Sequence, residues 1–301
     1  MKNLKFGSVV LPIHDTNADT EHLVPAWDDG FAPDKGTLAA LAAAVKLDLP
    51  VLLHGPTGCG KTSSVMLLAS ALNRPVRRMN LNGDVRSSDF LGEQTLIEGE
   101  SGAVVAWRDG VVTAAMREGS WLILDEFDAA PASLALTIQA ILEKGHVLTL
   151  SANGGEVVRP HPDFRVFATA NTIGSGDESG LYAGTNRLNE ATLDRFVAVE
   201  CDYPTKRVEA NVLVEKTGIA AESAKLMVEV AGEIREAFNA PSPLTSATFS
   251  TRRLLAWASL AQTMGSVELA YAYAVADKLG KTERAYVGGV AQRVTGWNVK
   301  R

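Results

Sequence analysis

The chain has 301 residues, of which 46% are hydrophobic and 21% are charged, and its formal net charge is −6 at pH 7. Such a chain can form one large domain or two modest ones, and its composition is that of a globular protein with enough apolar residues for a core. The acidic balance argues against a nucleic-acid partner held mainly by phosphate contacts, because no domain-wide basic surface is present.

Cysteine content and hydropathy argue against a disulfide-rich, zinc-binding, secreted or membrane-spanning protein. The two cysteines, Cys59 and Cys201, are far apart and lack the spacing of a zinc site or a disulfide framework. No run of about 18 apolar residues occurs, and the N-terminus has no signal-peptide pattern. We therefore expect a cytoplasmic protein without a membrane partner.

The first predicted elements are an arm and a helix. Residues 1–35 are rich in turn-forming residues such as Pro25, and we expect an irregular N-terminal arm that packs on the core or on a neighbouring subunit. Asp34 is typical of a helix cap, and apolar residues recur at near-helical spacing over residues 38–47. The first predicted strand begins at Val51.

A glycine-rich segment between this strand and a predicted helix is the central motif. It reads Gly55-Pro56-Thr57-Gly58-Cys59-Gly60-Lys61-Thr62, is followed by Ser63, and matches the pattern G-x-x-x-x-G-K-T. Its glycines let backbone N–H groups point at a phosphate, and the helix presents its positive end to the same anion. We expect Lys61 to reach the β- and γ-phosphates of ATP and the Thr62 hydroxyl to bind Mg²⁺.

Strands and helices alternate over the rest of the first two thirds of the chain. In order, the patterns predict a strand at 76–81, a hairpin at 95–107, a helix at 111–117, a strand at 121–125, a helix at 134–144, a hairpin pairing 146–150 with 156–159, a strand at 164–170, a mobile glycine-rich loop at 174–184, a short helix at 189–194 and a strand at 196–201. This alternation predicts an α/β domain over residues 36–205, with a doubly wound parallel five-stranded sheet and two hairpin insertions.

Two carboxylates follow the apolar strand that begins at Trp121. Asp125 and Glu126 stand at its carboxyl end, and the carboxyl ends of parallel strands are where ligands gather, so we expect both beside the loop at 55–62. Asp125 would hold Mg²⁺ partly through water, and Glu126 would orient and polarise the water that attacks the γ-phosphate. The alternative is a strand end with two exposed acids and no function.

Two later residues are candidates for catalysis. Asn171 closes the fourth strand of the sheet, where its amide could hydrogen-bond both the γ-phosphate and the attacking water; asparagine is also common in turns. Arg195 precedes the fifth strand and could neutralise transition-state charge across a subunit boundary. The alternative for Arg195 is a salt bridge to Asp194 or Glu190.

The patterns change at Pro204 to helices alone. They predict an all-helical lid domain over residues 206–301, with helices at 207–216, 220–239, 250–263 and 267–279. Arg252 and Arg253 stand in the first turn of the third of these. We expect Arg252 to reach the nucleotide and Arg253 to be a solvated surface residue.

The order of these motifs resembles that of the AAA+ ATPases. The loop, Leu124-Asp125-Glu126, Asn171, Asp194-Arg195-Phe196 and Ser250-Thr251-Arg252 resemble, in sequence, that family's Walker A, Walker B, sensor 1, arginine finger and sensor 2 motifs. The two hairpins resemble those of the MoxR-type branch. Cys59 is a departure from the family pattern, at a loop position that accepts different residue types. We expect it to add sensitivity to oxidation and not to block binding.

Within the MoxR-type branch, the chain resembles the CobS-type ATPase subunits of aerobic cobaltochelatases. The segments that carry this likeness are residues 80–82, 89–92, 157–165, 167–172 and 180–185. The resemblance implies a homo-oligomeric ring, commonly a hexamer, with ATP and Mg²⁺ at each interface and Arg195 acting on the neighbour's nucleotide. It also implies a partner protein with a von Willebrand-type domain and a large subunit that binds the corrinoid and cobalt.

We therefore expect a Mg²⁺-dependent ATPase ring that remodels a partner complex, with cobalt insertion into a corrinoid as the leading setting. A MoxR-type or phage-encoded remodelling chaperone with another client is the first alternative. A nucleotide-gated scaffold with negligible hydrolysis is the second, although a scaffold has no need of Glu126, Asn171 and Arg195 together. A DNA motor, disfavoured by the net charge, would need basic pore residues such as Arg86 or Arg108.

Overall fold

The chain folds into two units. The computed structural model describes residues 2–15, 17–28, 30–31, 33–81, 84–99, 102–131, 134–143, 145, 147–172, 189–240 and 244–297. The N-terminal α/β unit comprises Met1–Asp28, Asp34–Gly55 and Lys61–Cys201, and the C-terminal helical unit comprises Asp29–Pro33, Pro56–Gly60 and Asp202–Arg301. The predicted glycine-rich loop at 174–184 lies outside the described residues.

The N-terminal segment is more ordered than its sequence indicates. Strands β1 (Asn3–Phe6) and β2 (Val9–Pro12) form an antiparallel hairpin, followed by a 3-10 turn at Glu21–Leu23. The expectation of a wholly irregular arm was therefore wrong, because each strand has only four residues and the surrounding turn-formers dominate the pattern. Helix α1 (Lys35–Leu47) begins where predicted, with the Asp34 side chain accepting a hydrogen bond from the backbone N–H of Thr37 at 2.9 Å.

The rest of the α/β unit alternates strands and helices. In chain order these are β3 (Val51–His54), α2 (Lys61–Ala71), β4 (Val76–Asn80), α3 (Ser87–Leu91), β5 (Gly92–Gly99), β6 (Gly102–Asp109), α4 (Val111–Glu118), β7 (Trp121–Asp125), α5 (Ala135–Leu142), β8 (Leu148–Leu150), β9 (Glu156–Val158), β10 (Arg165–Ala170), α6 (Glu190–Leu193) and β11 (Val197–Glu200). The predicted elements are thus present, with boundaries shifted by up to three residues.

Five of these strands form the predicted parallel sheet, in the order β11-β3-β10-β7-β4. All five residues of β7 are buried, as expected for a strand of a parallel sheet that has a neighbour on each side. The register aligns Ala170 with His54 and Asn80 with Asp125. The carboxyl ends of β3, β10, β7 and β4 therefore lie along one edge of the sheet.

An apolar core joins the sheet to its helices. Buried side chains of β3, β7 and β10 pack with those of α4 and α5; they include Leu52, Leu122, Leu124, Val166, Val112, Met116, Ile138 and Ile141. Trp121 and Phe167 meet with ring centroids 5.0 Å apart. Burial of these side chains is the main free-energy term that fixes the strand register and hence the sheet edge.

Two hairpins project from the α/β unit. Strands β5 and β6 pair antiparallel over eight residues each, from Gly92 opposite Asp109 to Gly99 opposite Gly102, so this hairpin is longer than predicted. Strands β8 and β9 pair over three residues each, and the predicted start of this hairpin at residue 146 lies outside the described residues.

The C-terminal unit contains helices α7 (Lys206–Thr217), α8 (Ala221–Phe238), α9 (Thr251–Met264), α10 (Val267–Ala274) and α11 (Lys281–Thr295). Its core surrounds Trp257, whose ring makes edge contacts with Tyr271 and Trp297. Helix α11 was not predicted as a separate element, since Gly288 and Gly289 in its middle lower helix propensity. Within the described residues, none of the helices is both long enough and apolar enough to cross a bilayer.

Candidate functional site

The glycine-rich loop adopts the backbone conformation that only glycines accept readily. Gly55, Gly58 and Gly60 have φ angles of +142°, +72° and +105°. A Cβ atom at Gly55 would lie 1.9 Å from the carbonyl oxygen of Cys201. Helix α2 starts at Lys61, directly after the loop. The order of curled, glycine-rich backbone followed by a helix N-terminus is typical of phosphate-binding loops.

Lys61 and Asn171 meet at the sheet edge, although 110 residues separate them. Lys61 is only 8% exposed, and its Nζ donates to the carbonyl oxygen of Gly55 at 2.7 Å and to Oδ1 of Asn171 at 3.1 Å. The amino group of Lys61 is therefore held at the end of the sheet, directly after the glycine-rich loop. This arrangement fits the γ-phosphate of a nucleotide.

Asp125 is the centre of an oxygen-rich cluster at the end of β7. It is 3% exposed, and its Oδ1 accepts hydrogen bonds from the hydroxyls of Thr62 at 2.8 Å and Thr169 at 2.7 Å. Its Oδ2 is paired with Nε of Arg78. The Asp125 carboxylate and Thr62 hydroxyl are hard oxygen donors that suit Mg²⁺, which keeps most of its other positions for water and phosphate.

The donor set fits such a magnesium site better than a protein-only metal cage. Among the described residues, no group of three or more His, Cys, Asp or Glu side chains could hold a metal ion. The cluster offers one carboxylate and one hydroxyl, a donor set of the kind that binds Mg²⁺ together with nucleotide phosphates. Sequence reasoning assigned no role to Thr169 or Arg78, because each lies inside a strand and the sequence does not show which side chain it meets.

Glu126 has a strained backbone next to this cluster. Its φ and ψ angles are 55° and 45°, in the left-handed region, and it shares positive φ with only two other non-glycine residues of the described chain, Asp48 and Asn73. Such strain is retained where the surrounding structure demands it, often at functional sites. The residue is exposed directly after the buried Asp125, in a place where it can meet water.

A further carboxylate, Asp128, was missed by sequence reasoning. It is 1% exposed, and its Oδ2 accepts the backbone N–H groups of Asn171 at 2.9 Å and Thr172 at 3.2 Å. Asp128 therefore ties the turn after β7 to the end of β10, the segment that carries Asn171. The sequence does show a third acidic residue shortly after Asp125 and Glu126, but it does not show which backbone N–H groups that residue binds.

Arg195 follows helix α6 and is held within its own chain. Its guanidinium donates to the carbonyl oxygen of Ala191 and, at 3.0 Å, to Oε1 of Glu143. The salt-bridge partner is thus Glu143, and the pairing with Asp194 or Glu190 considered from sequence does not appear among the described salt bridges. Glu143 is exposed, so this pair is open to water and can exchange partners at little cost.

The two arginines of helix α9 differ from the expectation. Ser250 caps the helix, and its Oγ accepts the backbone N–H of Arg253 at 3.2 Å. Arg253 is not a solvated surface residue: it is half-buried and donates to the carbonyl oxygen of Thr248 at 2.6 Å, and burial lowers its pKa. Arg252 is the exposed one of the pair.

The loop residues of the C-terminal unit lie against the start of α9. A Cβ atom at Gly58 would come within 2.6 Å of the Cβ atom of Ser250, and the backbone N–H of Cys59 bonds to the carbonyl oxygen of Pro56 at 3.4 Å in a tight turn. Arg252 follows Ser250 by two positions. The C-terminal unit thus places loop residues beside the helix that carries the predicted sensor arginine.

Taken together, the α/β unit brings Lys61, Thr62, Asp125 and Asn171 to one edge of the sheet and sets Glu126 beside them. Ser63 is exposed in the first turn of α2, and Cys59 is buried. The roles of these residues toward a nucleotide, and those of Arg195 and Arg252, remain predictions.

Comparison with known proteins identifies both units. Residues 50–196 match the model of the AAA domain of the dynein-related subfamily, and residues 209–292 match the C-terminal domain of CbbQ, NirQ and NorQ. The fold is similar to that of a RuvB variant from Thermotoga maritima, with a TM-score of 0.51 and 15% identity over 79% of this chain and 68% of that chain. This structural likeness shows the fold alone.

Sequence relatives narrow the family. The chain is 33% identical to the aerobic cobaltochelatase subunit CobS of a Sinorhizobium species over 94% of this chain and 89% of CobS. It is 32% identical to the protein NorQ of Paracoccus denitrificans over 68% of this chain and 72% of NorQ. With the sheet, the loop and the acidic strand end in place, these matches establish that the chain belongs to the AAA+ ATPases, in the MoxR-type branch that includes CobS and NorQ.

Proposed function

We propose that this chain is the Mg²⁺-dependent ATPase of a multiprotein assembly, in which a homo-oligomeric ring, a hexamer, uses ATP hydrolysis to remodel a partner complex in the cytoplasm. The observation that carries the proposal is the cluster at the sheet edge. There, Nζ of Lys61 lies 3.1 Å from Oδ1 of Asn171, and the carboxylate of Asp125 lies 2.8 Å from the hydroxyl of Thr62.

Each residue of the cluster has a role in the conversion of ATP and water to ADP and phosphate. Lys61 and the loop at residues 55–60 bind the phosphates, and Thr62 and Asp125 hold Mg²⁺, which neutralises phosphate charge when bound. Glu126 polarises the attacking water and accepts its proton. Asn171 orients that water and the γ-phosphate.

Two arginines complete the proposed site. Arg195 leaves its exposed partner Glu143 and stabilises the transition-state charge at the neighbouring subunit's nucleotide. Arg252, exposed in the first turn of α9, contacts the nucleotide from the helical lid at residues 206–301.

Cobalt insertion into a corrinoid is the proposed setting. The similarity to CobS extends over 94% of this chain and 89% of CobS, so it includes both the α/β unit and the helical unit. The partners would then be a protein with a von Willebrand-type domain and a large subunit that binds corrinoid and cobalt. The ATPase supplies mechanical work, and the insertion chemistry belongs to the large subunit.

A second setting is favoured by the C-terminal unit. Residues 209–292 match the C-terminal domain shared by CbbQ, NirQ and NorQ, which supports a MoxR-type remodelling chaperone whose client is another protein complex. The ATPase chemistry is the same in both settings, so the client must be identified directly.

The two settings can be separated by capturing the client. A tagged Glu126→Gln chain, expected to bind ATP without hydrolysing it, would be recovered from its native cells in Mg²⁺ and ATP, and its bound proteins identified by mass spectrometry, with Lys61→Ala as the control. A large corrinoid-binding protein together with a von Willebrand-type protein supports the cobalt setting. Another enzyme complex supports the second setting, and no ATP-dependent partner would contradict remodelling.

A further inference from the structure

A buried ion pair lies in the C-terminal unit, outside the roles assigned above. Glu209 of α7 is 0% exposed, and its two carboxylate oxygens accept hydrogen bonds from the two terminal guanidinium nitrogens of Arg235 of α8, each at 2.8 Å. A buried, bidentate pair is costly to desolvate and is a weak source of stability. It is better suited to fixing the positions of the groups around it.

The first of those groups is the start of helix α9. Nε of Arg235 donates to the carbonyl oxygen of Phe249 at 2.7 Å, and the hydroxyl of Thr251 donates to Oε1 of Glu209. These two contacts hold the residues on either side of Ser250. The ion pair therefore fixes the N-terminus of α9 from both flanks of its capping residue.

The second group is the ring of Tyr203. The guanidinium carbon of Arg235 lies 3.7 Å from the centroid of this ring, within the range of a cation–π interaction. The hydroxyl of Tyr203 donates to the carbonyl oxygen of Thr57 at 2.9 Å. Tyr203 thus connects the guanidinium to the backbone of the phosphate-binding loop.

The start of α9 provides a second connection to the same loop. Gly58 approaches Ser250 so closely that a Cβ atom at Gly58 would lie 2.6 Å from the Cβ atom of Ser250. Two consecutive loop residues, Thr57 and Gly58, are therefore each braced by a group that Arg235 holds. All of these residues belong to the C-terminal unit.

We propose that Arg235, oriented by Glu209, is a positioning residue for the phosphate-binding loop, and that it acts through Tyr203 on Thr57 and through the start of α9 on Gly58. The inference rests on the proposed function to the extent that this loop binds ATP. Arg235 itself does not touch the nucleotide in this account.

The physical reason is conformational entropy. The loop contains three glycines at positive φ, and glycine loses more backbone freedom than any other residue when it is ordered. A loop that is braced before binding has less freedom left to lose, so it binds its ligand more tightly. By thermodynamic linkage, the factor by which these contacts strengthen nucleotide binding is also the factor by which a bound nucleotide strengthens the contacts.

The decisive variant is Tyr203→Phe, which removes the hydrogen bond to Thr57 and keeps the ring under Arg235. We expect the dissociation constant for a fluorescent ADP analogue, titrated against the purified chain, to rise about five-fold, as for the loss of one hydrogen bond. The midpoint of thermal unfolding without nucleotide should stay within about 2 °C of the wild-type value. Tyr286→Phe in α11, half-buried in the same unit, is the matched control and should change neither quantity.

A second variant tests the ion pair itself. Arg235→Lys keeps the positive charge but cannot bond both carboxylate oxygens of Glu209 at once. We expect the KM for ATP to rise at least about five-fold, while kcat at saturating ATP changes less than about two-fold.

Each outcome is informative. An unchanged dissociation constant in Tyr203→Phe overturns the inference. So does a weaker affinity that is accompanied by an equal loss in the free energy of unfolding, because that would show a merely structural role. Failure of the wild-type chain to bind the analogue more tightly than Lys61→Ala contradicts the proposed function instead. The two failures are therefore distinguishable.

Discussion

The carboxylate of Asp128 accepts the backbone N–H of Asn171 at 2.9 Å. This bond joins the turn that follows Asp125 and Glu126 to the end of β10, so the proposed water-polarising residue and the proposed γ-phosphate sensor share one rigid support. The side chain of Asn171 in turn lies 3.1 Å from Nζ of Lys61. The orientation of the sensor amide therefore depends on a buried acid that needs no contact with the nucleotide.

Replacing this acid should impair turnover more than binding. In Asp128→Ala the N–H groups of Asn171 and Thr172 lose their acceptor, so Asn171 is no longer held against the site. We expect kcat to fall about ten-fold or more, equivalent to about 1.4 kcal/mol in the barrier, with the affinity for ADP changed less than about two-fold. Steady-state phosphate release and nucleotide titration measure the two effects.

Asp128→Asn provides the matched control for that prediction. Its side-chain oxygen can still accept one backbone N–H, so part of the lost rate should return. Equal kcat values in the wild type and Asp128→Ala would show that Asn171 is positioned by other contacts.

Binding and hydrolysis should separate between two other variants. Lys61→Ala removes the buried ammonium group and should abolish nucleotide binding, whereas Glu126→Gln keeps binding and should stop turnover because the amide cannot accept a proton from water. Isothermal titration and phosphate release test these outcomes. Undiminished hydrolysis in Glu126→Gln would mean that another group activates the water.

Arg195 should act across a subunit boundary. Arg195→Ala is expected to lower turnover about 10³-fold as a homomer, the scale of other arginine fingers, and to regain partial activity when mixed with Lys61→Ala subunits, which supply an intact arginine. Glu143→Gln removes only the in-chain partner and should retain most activity. If mixing restores nothing and Glu143→Gln is equally impaired, the role of Arg195 is a local salt bridge.

Arg78 offers a test of the magnesium site that does not depend on turnover. Arg78→Gln leaves the Asp125 carboxylate without its cation, and the midpoint of thermal unfolding should fall by about 2–4 °C without ligand. Mg²⁺ and ADP should recover that loss, because the ion supplies the missing positive charge. Arg77 lies on the same strand as Arg78 and pairs with Glu118 of α4. In Arg77→Gln, any fall in the unfolding midpoint relative to wild type should therefore be the same with and without Mg²⁺ and ADP.

Local patterns predicted the parts of the site that one chain segment contains. The loop at 55–62 stood between a predicted strand and a predicted helix, and Asp125 and Glu126 followed a continuous apolar strand, so their places at the sheet edge could be predicted from topology alone. The five-stranded sheet was predicted for the same reason, since its strands alternate with helices.

Contacts between distant segments could not be predicted in this way. Asp128 contacts Asn171, 43 residues away in sequence, and Glu209 contacts Arg235, 26 residues away. From sequence alone, a charged residue on a helix is predicted to be exposed to solvent, because its partner is not known. Arg253 was predicted to be exposed for the same reason, but it is half-buried. Helix α11 was missed because its two central glycines have low helix propensity. The helix forms because burial of residues such as Val287 and Val290 outweighs that low propensity.

The most direct test of the central claim is mass photometry of the purified chain with and without Mg²⁺ and ATP. The account predicts a closed assembly of about six subunits, each of 32.0 kDa, when both ligands are present. A monomer under every condition would remove the neighbouring nucleotide on which Arg195 is proposed to act, and would contradict the account of a ring ATPase.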